Sequence, residues 1–488
     1  MSNVYDEQDY PYAVRHWTHP TQLGALAQLM GRAAAPFQSC NVLEIGAGDG
    51  VNLASMAIGA PRAQFVGVDL SERAVAAGRE LIAAAGVANL RLECADLRDF
   101  DAPAGSFDYI VAHGVYAWAP KDVQDALLAL CGRLLSPRGV AMISYNALPG
   151  CRLRQGVRDL LLAAVAGVEE PERKIAAARA AAGFYAEQWS ASDNAFRKAL
   201  EMETRDWLGR PDGLIFHDEL GAIYDPQLFS DVVRKARAQG LDYLCDNDPS
   251  LVEHALWESE LWSKSLPLTG GDQIAYEQTL DFVETRFFRR SLFCRAGAPL
   301  ERRFSPERLS GLCLEAPLEP FEDASVGEGE FAFKTAGRGE VSTRDPAFAA
   351  AMRRLGEAYP RALAIDEIAA KAPARAALLR LYAGNMARLA TEPFPVGRDA
   401  GETPFANPLA RAQARLGLGS VTSYRHSQVS LEGDDTRHFL ALLDGTRTID
   451  ALVDAMSGSA SGTGDTRAKV EAALATFALW GLTRSPAA

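Results

Sequence analysis

The chain has 488 residues, too many for one hydrophobic core, and predicts about three domains. Its 48% hydrophobic and 23% charged residues are typical of a globular protein, and its net charge of −13 disfavours nonspecific binding to nucleic acid or to an anionic membrane. No stretch is apolar enough to span a membrane, residues 1–10 do not resemble a signal peptide, and the seven cysteines form no C-x-x-C pair, so we expect a cytoplasmic protein with free thiols and no bound metal.

An aromatic segment precedes the first helical run, which is predicted over residues 23–30. Such a segment either folds over a ligand bound to the next loop or packs the helix onto a sheet. Tyr12 and His19 are the positions that we expect to distinguish these alternatives. The rings of the segment are Tyr5, Tyr10, Tyr12, His16, Trp17 and His19.

Residues 42–50 read Val-Leu-Glu-Ile-Gly-Ala-Gly-Asp-Gly, a short apolar run that ends in alternating glycines. This pattern predicts a buried strand that turns sharply into a helix, with a backbone that a ligand can approach closely. A phosphate-binding turn normally reads G-x-G-x-x-G. Here Glu44 and Asp49 would repel a pyrophosphate but suit a ligand that carries an ammonium and a sulfonium group. The pattern resembles the first motif of class I S-adenosylmethionine (SAM) methyltransferases.

Two further strands are each predicted to end near an acidic residue. The second strand ends in Asp69, about 20 residues after the glycines, which is the spacing that points a carboxylate at ribose hydroxyls. A helix over 72–85 follows, with Ser71 as its N-cap. The third strand is predicted over 90–97 and carries Asp96, which either contacts the ligand or is solvated.

The fourth strand, predicted over 107–112, runs directly into a cluster of His113, Tyr116 and Trp118. Ligands of open α/β sheets lie outside the carboxyl ends of the strands, so we expect this cluster beside the reactive methyl group. A His or Tyr there could help to deprotonate the nucleophile. A histidine at a strand end can instead be structural, and that alternative stays open.

The fifth strand is predicted over 140–145, and Tyr145 and Asn146 could face the pocket. The pattern is then helical over 152–208, and the sixth and seventh strands are delayed to 240–246 and 286–294, preceded by predicted helices. We therefore predict about 60–75 inserted residues next to the catalytic face. Such an insertion serves as a lid, a substrate platform or a dimer contact.

A weak internal repeat follows residue 295. Residues 365–393 and 449–486 both predict helix, loop, helix and short strand, as in winged-helix modules. Residues 391–408 read as a linker and 457–466 as a flexible loop. Neither copy has a basic recognition helix, which favours protein contact over nucleic-acid binding.

The order of motifs resembles the bacterial class I methyltransferases with a methyltransferase regulatory domain, and is similar to the rickettsial protein lysine methyltransferases, which modify outer-membrane proteins. The segments that carry the resemblance are 44–50, 113–118, 145–150, 217–246, 281–282 and 286–290. The resemblance implies that Asp96 accepts from the adenine amino group. It also implies SAM as cofactor, a dimer formed through the helical insertion, and a protein substrate such as a surface or outer-membrane protein precursor.

We therefore predict an α/β, Rossmann-like SAM methyltransferase domain with a helical insertion, followed by α+β winged-helix-like modules. The predicted boundaries are 1–150 for the SAM-binding core, 151–225 for the insertion, 226–298 for the rest of the sheet, 299–395 for the middle module and 396–488 for the C-terminal module. The predicted cofactor residues are Glu44, Gly46, Ala47, Gly48, Gly50, Asn52, Asp69, Leu70, Asp96, Leu97 and His113. The predicted site-lining or catalytic residues are His113, Tyr116, Tyr12 and Tyr145.

The activity expected from these features is N-methylation of protein lysine side chains by in-line transfer. A small-molecule or glycan methyltransferase and a non-catalytic SAM-binding scaffold remain alternatives, because architecture does not fix the substrate. The acidic charge balance suits a lysine-rich protein but is also common among enzymes with small substrates.

Overall fold

The computed structural model describes residues 10–248, 260–297, 299–301, 305–322, 327–335, 337, 339–457 and 463–486. Tyr5 and half of the predicted loop over 457–466, residues 458–462, lie outside the described residues. No helix in the described ranges combines the length and the apolar character needed to cross a membrane. All seven cysteines are described as free thiols; six are buried and Cys94 is exposed.

In the described chain, seven strands form one sheet in the order β3-β2-β1-β4-β5-β7-β6. Strands β1 to β5 pair in parallel, and β7 lies antiparallel between β5 and β6. The carboxyl ends of the parallel strands therefore share one edge of the sheet, which positions the loops that follow them. The strands are β1 (Asn41–Ile45), β2 (Gln64–Asp69), β3 (Leu90–Cys94), β4 (Phe107–Ala112), β5 (Leu135–Asn146), β6 (Leu241–Asp246) and β7 (Phe288–Arg295).

The first four helices cover the two faces of this sheet. They are α1 (Pro20–Leu29), α2 (Val51–Gly59), α3 (Glu72–Ala84) and α4 (Lys121–Leu134). The Ser71 hydroxyl accepts from the Ala74 N–H at 3.0 Å, which confirms the predicted N-cap of α3. The third strand ends at Cys94 rather than at residue 97, because the Asp96 carboxylate accepts from the Arg98 N–H at 2.9 Å and closes a turn there.

The predicted helical region consists of three long helices, a one-turn helix and a π-helix, and it has a small core of its own. The elements are α5 (Cys151–Ala164), α6 (Pro171–Ser190), α7 (Ala195–Leu208), α8 (Asp212–Leu214) and the π-helix Ile215–Glu219. Its entry and exit are adjacent, because Ala147 and Gln227 form a parallel β-bridge. The outer surface exposes Phe184, Phe196 and Met202, and the dimer contact expected there stays a prediction.

The chain returns to the sheet through α9 (Phe229–Ala238), α10 (Glu260–Thr269) and α11 (Gln273–Glu284). Strand β7 begins at Phe288 rather than at residue 286, because the Arg286 N–H donates to the Asp281 carbonyl at 3.0 Å and still belongs to the end of α11. In the centre of β7 the fully buried Arg289 meets three carboxylates: Asp246 at 2.9 Å, Asp281 at 2.8 Å and Glu277 at 3.1 Å. This cluster joins β6, β7 and α11.

The middle module contains two small sheets, β12-β8-β13 and β11-β10-β9. Its helices α13 and α14, followed by β13, confirm the helix, loop, helix, strand pattern of the first repeat copy. The elements are β8 (Cys313–Glu315), β9 (Glu319–Phe321), β10 (Phe331–Thr335), β11 (Gly339–Thr343), α12 (Pro346–Ala358), β12 (Leu363–Ala364), α13 (Ile365–Ile368), α14 (Ala372–Ala383) and β13 (Arg388–Ala390).

The C-terminal module packs its first helix against α2 and α3. Its second repeat copy ends in a single bridge between Ala406 and Thr483 instead of the predicted strand, since only one pair of residues meets there. The predicted linker over 391–408 has little regular structure but is docked, with Val396 fully buried. The elements are α15 (Pro408–Arg415), β14 (Ser420–Thr422), β15 (Gln428–Ser430), α16 (Asp434–Leu442), α17 (Ile449–Ser457) and α18 (Thr463–Leu479).

We expect Arg289→Met to lower the free energy of unfolding by about 3–5 kcal/mol, because it leaves buried carboxylates without their cation. The matched control is Arg234→Met, which breaks an exposed pair with Asp231 and should cost less than about 1 kcal/mol. Urea denaturation of the intact chain measures both values. Equal stability of the two variants would contradict a central role for the Arg289 cluster.

Candidate active site

The glycine loop between β1 and α2 is bent in a way that excludes side chains. Gly46, Gly48 and Gly50 have φ values of 74°, 55° and 68°, in the left-handed region. A Cβ on Gly48 would lie 2.0 Å from Cε1 of Tyr12. Tyr12 therefore lies directly against the loop, where the first of the two sequence alternatives placed it.

Glu44 is the penultimate residue of β1, just before this loop, and is almost fully buried. Its Oε1 accepts from the Asn52 Nδ2 at 2.8 Å, whereas its Oε2 has no hydrogen-bond partner. Burial is the main cause that raises the pKa of Glu44 to about 8, partly offset by the Asn52 hydrogen bond. A buried carboxylate oxygen without a donor is costly, and it suits a cationic group that would pair with it.

Asp69, at the end of β2, connects the glycine loop to α3. Its Oδ2 accepts from the Gly48 N–H at 2.7 Å and its Oδ1 from the Ser71 N–H at 2.9 Å. The carboxylate therefore fixes the position of the glycine loop relative to the first turn of α3. The flanking Ala47 is buried and Leu70 is half exposed, at 48%. The ribose contact predicted for Asp69 stays a prediction.

Asp96 lies in the turn after β3 and is bound by Arg98, a residue that the sequence analysis missed. The Arg98 Nη2 donates to the Asp96 Oδ2 at 2.6 Å, and its Nη1 donates to the Asp122 Oδ2 at 2.8 Å. The Arg98 hydrogen bonds hold the pKa of Asp96 below its usual range, so Asp96 is ionised at neutral pH. The adjacent Leu97 is buried. The adenine contact predicted for this pair stays a prediction.

His113 follows β4 and lies among aromatic rings. Its ring centroid is 5.7 Å from that of Trp17 and 6.0 Å from that of Phe288, both edge-on. Its Nδ1 is buried without a hydrogen-bond partner. Burial and the charges of Arg15 and Arg290 lower the pKa of His113 to about 3, so the ring is neutral. Among the predicted site residues, His113 is the one that combines a ring nitrogen without a hydrogen-bond partner with two nearby cations, Arg15 and Arg290.

Arg15 and Arg290 both lie over the indole ring of Trp17. The guanidinium carbon of Arg290 is 4.9 Å from the Trp17 ring centroid, and that of Arg15 is 5.8 Å from it. These contacts fix Trp17 beside His113. Trp17 belongs to the aromatic segment but is not among the predicted site residues, because nothing in the local pattern distinguishes it from Tyr12.

The structure does not support direct proton transfer by Tyr116 or Tyr145. Both rings are buried in the core beneath the sheet, and burial raises the pKa of each phenol above its usual value. The Tyr145 hydroxyl is also bound to the Ser291 Oγ at 3.0 Å. His19 caps α1 and packs its ring against Phe37, which is the packing role that the second alternative gave to the aromatic segment.

The helical insertion reaches the site through its π-helix. The ring of His217 lies 5.8 Å from that of Tyr10, which is in turn 5.4 Å from Tyr12 on the glycine loop. On the other side, Arg154 of α5 lies 5.4 Å from the Trp118 ring centroid. The insertion and the N-terminal segment thus cover the carboxyl edge of the sheet together.

Three family models match the chain. Residues 42–139 match the family described as "Methyltransferase domain", 211–295 match "Predicted methyltransferase regulatory domain" and 402–466 match "PKMT, C-terminal winged helix domain". Protein RP028 of Rickettsia prowazekii (strain Madrid E) is 33% identical over 233 residues, which cover 48% of this chain and 93% of that protein. The chain belongs to the methyltransferases that carry a regulatory domain.

A second relative, protein RP789 of the same organism, is 28% identical over 380 residues, which cover 76% of this chain and 68% of that protein. The solved structure of PKMT2 from Rickettsia typhi shares 24% identity with a TM-score of 0.84, over 97% of this chain and all of that one. The same protein in complex with AdoHcy gives a TM-score of 0.82 at 23% identity, over 97% of this chain and 99% of that one. These two likenesses establish the fold.

The protein is a class I SAM-dependent methyltransferase, and its residues fit the cofactor. The unpartnered Glu44 Oε2 suits an ammonium group, and the glycine loop gives a ligand access to the backbone. SAM, when bound, supplies a methyl group on a positively charged sulfur. The residues that would hold it are Glu44, Gly46, Gly48, Asp69 and Asp96.

We expect Gly48→Ala to weaken SAM binding by at least tenfold, because the new Cβ adds about 1–3 kcal/mol of strain and displaces Tyr12. Gly86→Ala is the matched control, since Gly86 also has a positive φ, of 70°, but has no atom within 4 Å of an added Cβ. Calorimetric titration with SAM measures both affinities. Unaltered binding by Gly48→Ala would show that the loop does not hold the cofactor.

SAM binding at pH 7 should release a proton from Glu44. In the free protein its pKa of about 8 keeps most of the carboxyl protonated, and an ammonium partner favours the carboxylate. The calorimetric enthalpy should therefore depend on the buffer's ionisation enthalpy at pH 7, and Glu44→Gln should remove this contribution. The release should vanish above about pH 9, where the group is already ionised. An enthalpy that is independent of the buffer at pH 7 would contradict this assignment.

Proposed function

We propose that this methyltransferase transfers the methyl group of SAM to lysine side chains of a protein substrate. The observation that carries the proposal is the neutral His113, enclosed by Trp17 and Phe288 at the carboxyl end of β4. Apolar ring surfaces suit a lysine side chain, because its methylene stem packs against them while its amino group reaches the end of a narrow, dry path.

The charges beside His113 favour the reactive form of the acceptor. An amine attacks only when it has lost its proton, and nearby positive charges disfavour an ammonium ion. Arg15 and Arg290, which lower the pKa of His113, would lower that of a lysine held there in the same way. His113 itself is too weak a base to take the proton, so its role is to accept a hydrogen bond or donate one in orienting the amine.

Transfer at carbon is an in-line displacement, and the chain contributes mainly by positioning. The Gly114 N–H donates to the Ser144 Oγ at 3.0 Å, which fixes the bend that places His113 at the strand end. Tyr12 and the insertion cover the edge and exclude water from it. The C-terminal match to the PKMT winged-helix family and the likeness to PKMT2 of Rickettsia typhi also support a protein substrate.

The proposal predicts that labelled SAM and the intact chain label an outer-membrane protein fraction, with methyl-lysine identified by mass spectrometry. The same fraction with its lysines acetylated should take up no label, and Gly48→Ala is the control that lacks cofactor binding. Label that enters only a metabolite extract would contradict the proposal and indicate a small-molecule substrate. SAM binding with no acceptor in either fraction would indicate a scaffold.

A further inference from the structure

A histidine of the C-terminal module lies inside the methyltransferase domain. His426 is in the turn between β14 and β15, is 1% exposed, and has a φ of 51°, in the left-handed region that few residues other than glycine adopt. The neighbouring Arg425 anchors the turn on the middle module, where its Nη2 meets the Glu315 Oε1 at 2.8 Å. A strained residue persists only where its surroundings hold it firmly.

Both ring nitrogens of His426 form hydrogen bonds with residues of the methyltransferase domain. Its Nδ1 lies 2.9 Å from the Ser55 Oγ on α2, the helix that follows the glycine loop. Its Nε2 lies 3.1 Å from the Arg15 carbonyl oxygen, and 3.5 Å from the Thr18 Oγ1. A carbonyl can only accept, so Nε2 carries the hydrogen and Nδ1 accepts from Ser55. Burial keeps the pKa of His426 well below its usual value, in agreement with this neutral form.

The contacts continue through Asn52 to Glu44, the residue whose carboxylate would meet the ammonium group of the cofactor. The Arg15 N–H donates to the Asn52 Oδ1 at 3.0 Å, and the Asn52 Nδ2 donates to the Thr18 Oγ1 at 3.0 Å and to the Glu44 Oε1 at 2.8 Å. The amide of Asn52 thereby satisfies one oxygen of Glu44 and leaves the other without a partner. His426 holds Arg15 and Thr18, the two residues that orient this amide.

We propose that His426 is a positioning residue for the SAM site and that the C-terminal module sets the affinity for the cofactor through it. Asn52 orients the Glu44 carboxylate, which would meet the ammonium group. The segment from Arg15 to Thr18 orients Asn52, and His426 holds that segment in place. Because coupling between two sites is reciprocal, SAM binding also tightens the docking of the β14–β15 turn. This inference rests on cofactor binding and does not depend on lysine as the acceptor.

The test measures SAM affinity of the intact chain by calorimetry, without an acceptor. We expect His426→Leu, which removes both ring hydrogen bonds, to weaken binding by about tenfold. His426→Gln retains a donor with the reach of Nε2, so its affinity for SAM should be only about threefold weaker than that of the wild type. His438→Leu is the matched control, the same change at an exposed position of α16, and should bind as the wild type does.

A second readout is hydrogen exchange over residues 420–430. Addition of SAM should slow exchange there in the wild type and in His438→Leu, but not in His426→Leu. Ser55→Ala removes only the partner of Nδ1 and leaves the turn intact, so it tests the contact even if His426→Leu does not fold; we expect it to bind SAM about threefold more weakly.

Wild-type SAM affinity in Ser55→Ala and His426→Leu would overturn the proposal, as would an equal loss in His426→Gln and His426→Leu. Failure of the wild type itself to bind SAM would overturn the cofactor assignment. Failure to methylate lysine, with SAM affinities that follow the expected order, would leave this inference supported and contradict only the proposed substrate.

Discussion

The bond between the Asp69 carboxylate and the Gly48 N–H joins the ends of two parallel strands into one surface. A parallel sheet brings its carboxyl ends to a common edge but leaves the loops there free to vary. Asp69 removes that freedom, because one oxygen holds the glycine loop and the other holds the first turn of α3. The position of Tyr12, which lies against Gly48, then depends on the same carboxylate. The positions of the glycine loop and of Tyr12, which covers it, thus both depend on the side chain of Asp69.

The sequence predicts this region well because its signals are local. A buried strand, a glycine turn and a helix follow one another within about 30 residues, and this succession predicts a single chain path. The presence of the last two strands is also predicted, because a sheet of this type continues with two more strands, although about 90 residues separate β5 from β6. The limits of β3 were less predictable, since the turn that ends it depends on Arg98.

The side chains that were misplaced or missed in the sequence-based prediction have one cause in common: their surroundings depend on distant parts of the chain. Strand β5 is buried on both faces, so alternation cannot reveal whether Tyr145 points towards the ligand or into the core. Trp17 becomes part of the site only because Arg290, far along the chain, stacks on it. His426 has no local signal at all, since its partners Ser55 and Arg15 are 371 and 411 residues away along the chain. Such contacts belong to the packing of whole domains.

The bridge between Ala147 and Gln227 closes the helical insertion at its base. Everything between these residues leaves the sheet and returns to it at one point, so the register of β5 with β7 is independent of the inserted length. Longer closed loops cost little additional entropy, because the cost of closing a loop grows only slowly with its length. Relatives can therefore exchange this segment for another of different size or shape, and evolve new acceptors, while the strands that hold the cofactor remain unchanged.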